Sequence, residues 1–218
     1  MTAKNVALGP VFLTDNFSLL KLVKKLLQKV NPRERDVLLR RFGLNSSSKQ
    51  TLEQIGASHG LTRERVRQIE AAGLKKIKKM RDLEKQIGLL RQALDDLLLD
   101  NGGLMDKQYL QSSFLALSRE ALKDSELPIY ANNFDFLISR VLAEDFDPVA
   151  SGLFNDSIKL KYQTIDHLEL LAQQLVEQVR QAKRLFLIED LIKLSFDLEA
   201  FKSNADKLVS ANKLDLAS

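Results

Sequence analysis

The chain has 218 residues, 44% of them hydrophobic, which is enough for one or two domains with real cores. It contains no cysteine, so disulfides and thiolate metal sites are excluded, and its two histidines, His59 and His167, lie too far apart in sequence to suggest a metal site. The net charge of +4 conceals a division: residues 1–86 carry 19 Lys and Arg against 8 Asp and Glu, whereas residues 87–218 carry 14 against 21. Such asymmetry points to a nucleic-acid-binding N-terminal part with something different behind it. No apolar run approaches the length of a membrane span, and no signal-peptide pattern, phosphate-cradling glycine loop or nucleophile elbow is present. The expectation is a cytoplasmic protein that is not an enzyme and uses no cofactor or metal.

Residues 1–15 read as a short flexible leader. Phe17 to Val30 has helical periodicity, with Leu19, Leu20, Val23, Leu26 and Leu27 on the apolar face. Asn31-Pro32-Arg33-Glu34 reads as cap, first-turn proline and capping glutamate, opening a helix to Arg41. Gly43 to Gln50 is a polar loop. Thr51 with Gln54 forms a capping box, so a helix starts there and runs through Ile55 to about Ser58. His59-Gly60-Leu61 breaks it, with Gly60 supplying the left-handed conformation that a sharp helix exit needs. Thr62 caps the next helix, in which Val66, Ile69, Gly73 and Ile77 make one buried face.

Arg63, Glu64, Arg67 and Gln68 fall on the opposite face, within the first two turns. Two helices joined by a tight turn, the second presenting polar residues from its N-terminal turns, is how a helix-turn-helix addresses the DNA major groove. Arg63 suits the O6 and N7 of guanine, Glu64 the N4 amine of cytosine, and Gln68 adenine or a thymine edge; each good pair discriminates by about 1–3 kcal/mol. A carboxylate on this surface repels phosphate, so Glu64 makes sense as a specificity device. The alternative, a merely solvated charged face, is weakened by cap, turn and preceding helix standing in register. The basic run Lys75, Lys76, Lys78, Lys79, Arg81 either follows the DNA backbone or is a solvated helix end.

The span NPRERDVLLRRFGL (31–44) followed by TLEQIGASHGLTRERVRQIEAAGLKKIKK (51–79) resembles region four of the primary-type bacterial sigma factors, the domain that reads the −35 promoter element. The resemblance covers about residues 16–82. It implies that Arg63, Glu64 and Gln68 read base edges, that Arg67 contacts the backbone, and that Thr51 and Leu52 meet phosphate. Arg41 and Lys49 flank the same surface and are phosphate candidates on charge, as are Lys75 and Lys76. Two departures stand out: the sequence has Ala72 where the family usually has a basic residue, and Gly73 where it usually has alanine, which makes activator contacts there doubtful.

The run from Thr62 to Asp100 is expected to break between Arg81 and Gly88. Ile87 to Leu99 is an amphipathic helix stopped by Asn101-Gly102-Gly103, and Asp106 caps a second helix to about Leu117. Asn132-Asn133 precedes a third, with Phe134, Leu137, Ile138, Val141 and Leu142 as its apolar residues. Phe146 to Ala150 and Ile158 to Ile165 read as two strands around a turn from Ser151-Gly152 to Asn155-Asp156. Three helices followed by a hairpin is similar in order to the winged-helix modules of bacterial transcription proteins, including the delta subunit of RNA polymerase. From Ile165 onward the chain is helical again, with Leu168, Ala172, Leu175, Val179, Ala182 and Phe186 as a seam that either packs on the helix of residues 186–201 or supports self-assembly.

The expected fold is therefore mainly all-α: a leader (1–15), a sigma-region-four-like helix-turn-helix domain (16–84), a winged-helix-like domain with one small hairpin (87–164) and a helical C-terminal segment (165–218). The expected function is sequence-specific binding of promoter DNA, of RNA polymerase, or of both, with the polymerase β-subunit flap implied as a partner by the resemblance. Residues 1–15 leave no room for the aromatic-rich region that melts DNA in the family, so a sigma-like regulator or accessory factor is expected. The tail from Ser203 reads as stopping partway through a further module. The alternative function is a protein-interaction module that binds polymerase or a sigma factor as an antagonist, without reading DNA.

Overall fold

The computed structural model describes residues 17–150 and 152–206. The leader expected over residues 1–15, Ser151 of the expected turn and the tail beyond residue 206 lie outside them. The chain is mainly α-helical with one small antiparallel sheet, and it forms two compact units. The first draws on residues up to Leu94 together with Gln111–Glu144, the second on Asp95–Leu110 and the residues from Asp145.

In the first unit, α1 (Leu19–Leu27) is shorter at both ends than the expected Phe17 to Val30, while α2 (Pro32–Phe42), α3 (Leu52–His59) and α4 (Arg63–Lys78) start where the caps predict. Asn31 and Glu34 cap each other's backbone amides at the head of α2, and Thr51 and Gln54 do the same for α3. Thr62 Oγ1 accepts from the Arg65 amide at 3.2 Å to open α4. Gly43 (φ 63°) and Gly60 (φ 64°) end α2 and α3 in the left-handed conformation, which L side chains resist. Val37, Ile55, Val66 and Ile69 form the buried centre of the helix-turn-helix, with Leu52 and Leu61 packed against it.

At Gly73 a methyl group would stand 3.1 Å from Leu38 Cδ1 and 3.3 Å from Glu34 Cβ. The glycine therefore lets α4 lie close on α2. Glu34 is buried beneath this crossing, and Lys76 Nζ donates to its Oε1 at 2.6 Å. A buried carboxylate left unpaired would be costly, so the pair holds α2 and α4 in register.

Helix α5 (Leu83–Asp100) begins four residues before the expected Ile87, after the break at residues 79–82; α6 (Lys107–Ser118) follows the Asp106 cap as predicted. The third helix differs. α7 (Leu127–Phe136) starts with Pro128 in its first turn and passes through Asn132-Asn133 before continuing as a π-helical turn, Leu137–Val141. The asparagines are not its cap: Asn133 Nδ2 donates to the carbonyls of Leu44 at 2.9 Å and Ile129 at 2.8 Å. Tyr130, Phe134 and Phe136 are fully buried, and the rings of Phe136 and Phe42 lie 5.1 Å apart. Burial of each such side chain is worth roughly 1.5–3 kcal/mol, so α7 is part of the core that supports α1 and α2.

The second unit contains β1 (Leu104–Asp106), β2 (Phe146–Val149) and β3 (Ser157–Leu160), antiparallel in the order β1-β3-β2. β1 was not expected. The last β3 strand, expected to run to Ile165, ends at Leu160 opposite Phe146, and Tyr162 beyond it is 73% exposed. The helices α8 (Asp166–Ala182), α9 (Ile188–Asp197) and α10 (Glu199–Ser203) complete the described chain. The seam expected to reach Phe186 is cut at Lys183, whose φ of 47° ends α8.

Candidate nucleic-acid interface

The turn between α3 and α4 is fixed by close backbone contact. Leu61 donates its amide to the Gly56 carbonyl at 2.9 Å, and a methyl group on Gly56 would meet the Leu61 oxygen at 2.6 Å. This contact sets the direction in which α4 leaves. At the head of α3, Thr51 is exposed, while the Leu52 side chain packs against the buried centre. Leu52 thus has only its main chain to offer a phosphate, at a helix N-terminus where amides point outward and the dipole favours anions.

The base-reading candidates lie together on the exposed N-terminal turns of α4, tied into a charge network. Arg63 Nε pairs with Glu53 Oε1 at 2.9 Å. Arg67 forks onto Glu64, with Nε and Nη2 each at 2.8 Å from a carboxylate oxygen. Gln68 receives a bond from Arg65 at 3.1 Å and donates to Glu64 at 3.4 Å. The hydrogen bond from Arg67, followed by its charge, holds the Glu64 carboxyl below the usual range; the backbone amide does the same for Glu53, followed by Arg63. These pairs are solvent-exposed, and exposed pairs contribute little to stability because water screens them. The network presets the side chains yet is cheap to reorganise around a partner.

The phosphate candidates are dispersed. Arg41 Nη1 donates to the Gln50 carbonyl at 3.1 Å, and its Nε lies 3.7 Å from Glu70 Oε2, so it ties the 43–50 loop to α4. Lys49 pairs with Asp135 of α7 at 3.1 Å. Lys76 faces α2 through Glu34, away from the base-reading face. Lys75 stands on that face, beside Lys78 and Lys79. Sequence reasoning missed Arg65 and Glu53, which complete the network. The spacing of Arg65 to Gln68 was a usable signal, since i and i+3 are neighbours on a helix.

Residues 26–79 match the family model described as "Sigma-70, region 4". This segment resembles sigma-70 region 4. The RNA polymerase sigma factor SigA of Nostoc sp. is 50% identical over 56 residues, 26% of this chain and 14% of that protein. The sigma factor RpoD of Neisseria gonorrhoeae is 42% identical over 76 residues, 35% of this chain and 12% of that protein. The sigma factor RpoS of Coxiella burnetii is 37% identical over 81 residues, 37% of this chain and 23% of that protein. The chain thus spans under a quarter of the length of these relatives. No solved structure matches it. No described helix is long and apolar enough to cross a membrane.

Proposed function

We propose that this protein acts in transcription by binding duplex promoter DNA through α4, at a −35-like element, and by associating with RNA polymerase. Arg63, Glu64 and Gln68 read base edges; Arg67, the α3 N-terminus at Thr51 and Leu52, and Lys75 contact phosphate. Arg41, Lys49 and Lys76 act mainly by holding the domain together. The observation that carries the reading is the exposed set Arg63, Glu64, Arg67 and Gln68 on a capped helix, with Glu64 bonded to Arg67 and Gln68 and Arg63 paired with Glu53, within a segment similar to sigma region four. For polymerase, a groove of about 430 Å³ in the first unit, lined by Leu20, Val23, Leu27, Leu39, Leu44 and Ile129, offers an apolar seat for the β-subunit flap. The protein recruits polymerase to promoters or positions it there, as a cytoplasmic, non-enzymatic factor.

A second reading is an antagonist that binds polymerase or a sigma factor and does not read DNA. It is favoured by Glu53 and Glu64, which occupy the arginines that would meet DNA. Replacement Arg63→Ala separates the two. A DNA reader loses about 1–3 kcal/mol of discrimination between the hexamer and a scrambled duplex; an antagonist retains its polymerase binding unchanged and shows no discrimination to lose.

A further inference from the structure

We infer that Ser139 and Arg140, in the π-helical turn outside the sigma-like segment, complete a phosphate-binding cleft with Lys75, Lys78 and Lys79, and that this cleft holds a phosphodiester of the duplex read by α4. The inference rests on the proposed reading of α4. The cleft, about 520 Å³, is lined by these five side chains with small and apolar neighbours, and no carboxylate lines it. Glu144 reaches Lys78 only at 3.8 Å and is 86% exposed, a contact too long and too wet to neutralise the site.

Position and chemistry agree. Glu64, Gln68, Ala71, Lys75 and Lys78 recur at spacings of three and four, so the two lysines stand on the same face of α4 as the base-reading side chains. At 1.5 Å per residue, Lys75 lies about 10 Å along the axis from Gln68. The major groove is about 12 Å wide. A helix that inserts its N-terminal turns therefore passes the backbone at the groove's edge near Lys75. The Arg140 guanidinium is held over the Phe42 ring, 5.4 Å from its centroid. That stacking limits its motion while leaving the fork able to take two phosphate oxygens. Ser139 lines the cleft with a hydroxyl whose single proton is donated to the Asp135 carbonyl at 2.6 Å, so it reaches a phosphate only by rotating out of that bond. A solvated lysine-rich helix end would not need an arginine and a serine brought to it by a second segment, and π-turns occur frequently at functional sites.

The test is fluorescence anisotropy of the full chain with a TTGACA duplex and a scrambled duplex across a salt series. Arg140→Ala should lower the slope of log affinity against log salt by about 1, weakening both duplexes alike and leaving the ratio between them unchanged. Over a fourfold rise in salt the variant then loses about threefold less affinity than the native chain. Arg140→Lys keeps the charge and should keep the slope. If Arg140→Ala does not fold, judged by its thermal melt, the double variant Lys78→Ala with Lys79→Ala takes its place and should lower the slope by about 2. A native slope in a folded variant overturns the cleft while leaving base reading intact. A reduced slope with no hexamer preference in the native chain overturns base reading while leaving the cleft. Binding to neither duplex overturns both.

Discussion

Helices α1–α4 and helices α8–α9 share one sequence pattern and differ in what the pattern achieves. Both are amphipathic at helical period. In the first group most of the predicted apolar residues are buried, as with Leu19, Leu26, Ile55, Val66 and Ile77, all at 0% exposure, although Leu20 is only half-buried. In α8 and α9 no residue is buried; Leu185 in the link between them is 98% exposed and Ile188, which opens α9, is 74% exposed. The caps differ as well: α1–α4 each have a side-chain cap, whereas α8 and α9 have none. Periodicity alone thus marks an apolar face, while a cap combined with a partner surface makes that face a core.

The sharpest way to break this comparison is paired truncation. Ile55→Ala, in the helix-turn-helix centre, should cost about 2–5 kcal/mol, because it leaves a cavity among packed neighbours. Ile188→Ala should stay within about 0.5 kcal/mol. Urea unfolding followed by circular dichroism measures both; equal effects would refute the contrast. Next in size, Gly56→Ala should cost about 1–3 kcal/mol, since its methyl group collides with the Leu61 carbonyl and must displace the turn.

Local chemistry explains what was legible. Gly60, Thr62 and the Thr51–Gln54 pair act within three or four residues of their own position, so the sequence displays both partners at once. The proposed DNA-facing set is legible for the same reason: Arg63, Glu64, Arg67 and Gln68 lie on one short helical face. Arg41 and Lys76 were not legible, because periodicity places a side chain on a face without saying what stands opposite. Lys76 meets Glu34, 42 residues away, and that contact decides its role. Asn132-Asn133 looked like a helix cap, yet the Asn133 amide reaches the Leu44 carbonyl, 89 residues back in the chain. β1 is three residues long and has no alternation to detect; it exists through its pairing with β3.

Smaller effects sharpen the contrast at the caps. Thr62→Ala should cost about 1 kcal/mol, by removing the acceptor for the Arg65 amide. Leu187 stands at the N-cap of α9 with extended backbone and no side-chain bond. Leu187→Ser should therefore stabilise the second unit by about 0.5–1 kcal/mol, read as a shift in its thermal melt. The smallest effect concerns pH. Arg67 depresses the Glu64 carboxyl, so the charged form persists until pH falls below the usual carboxylate range. Discrimination between duplexes should stay flat from pH 8 to about 5, because an ordinary glutamate already titrates near 4.3. Below that, protonation removes both an acceptor and a repulsion, so scrambled DNA should bind more tightly while discrimination falls. A loss of discrimination already at neutral pH would show that Glu64 is not the group involved.

The most direct measurement is the affinity of the native chain for a TTGACA duplex and a scrambled duplex as salt rises, by fluorescence anisotropy. Base reading predicts that both affinities fall steeply with salt while the preference for the hexamer persists, because counterion release is common to both duplexes and base contacts are not. Equal binding to the two duplexes at every salt concentration, or no binding to either, would contradict the assignment of α4 as a promoter reader.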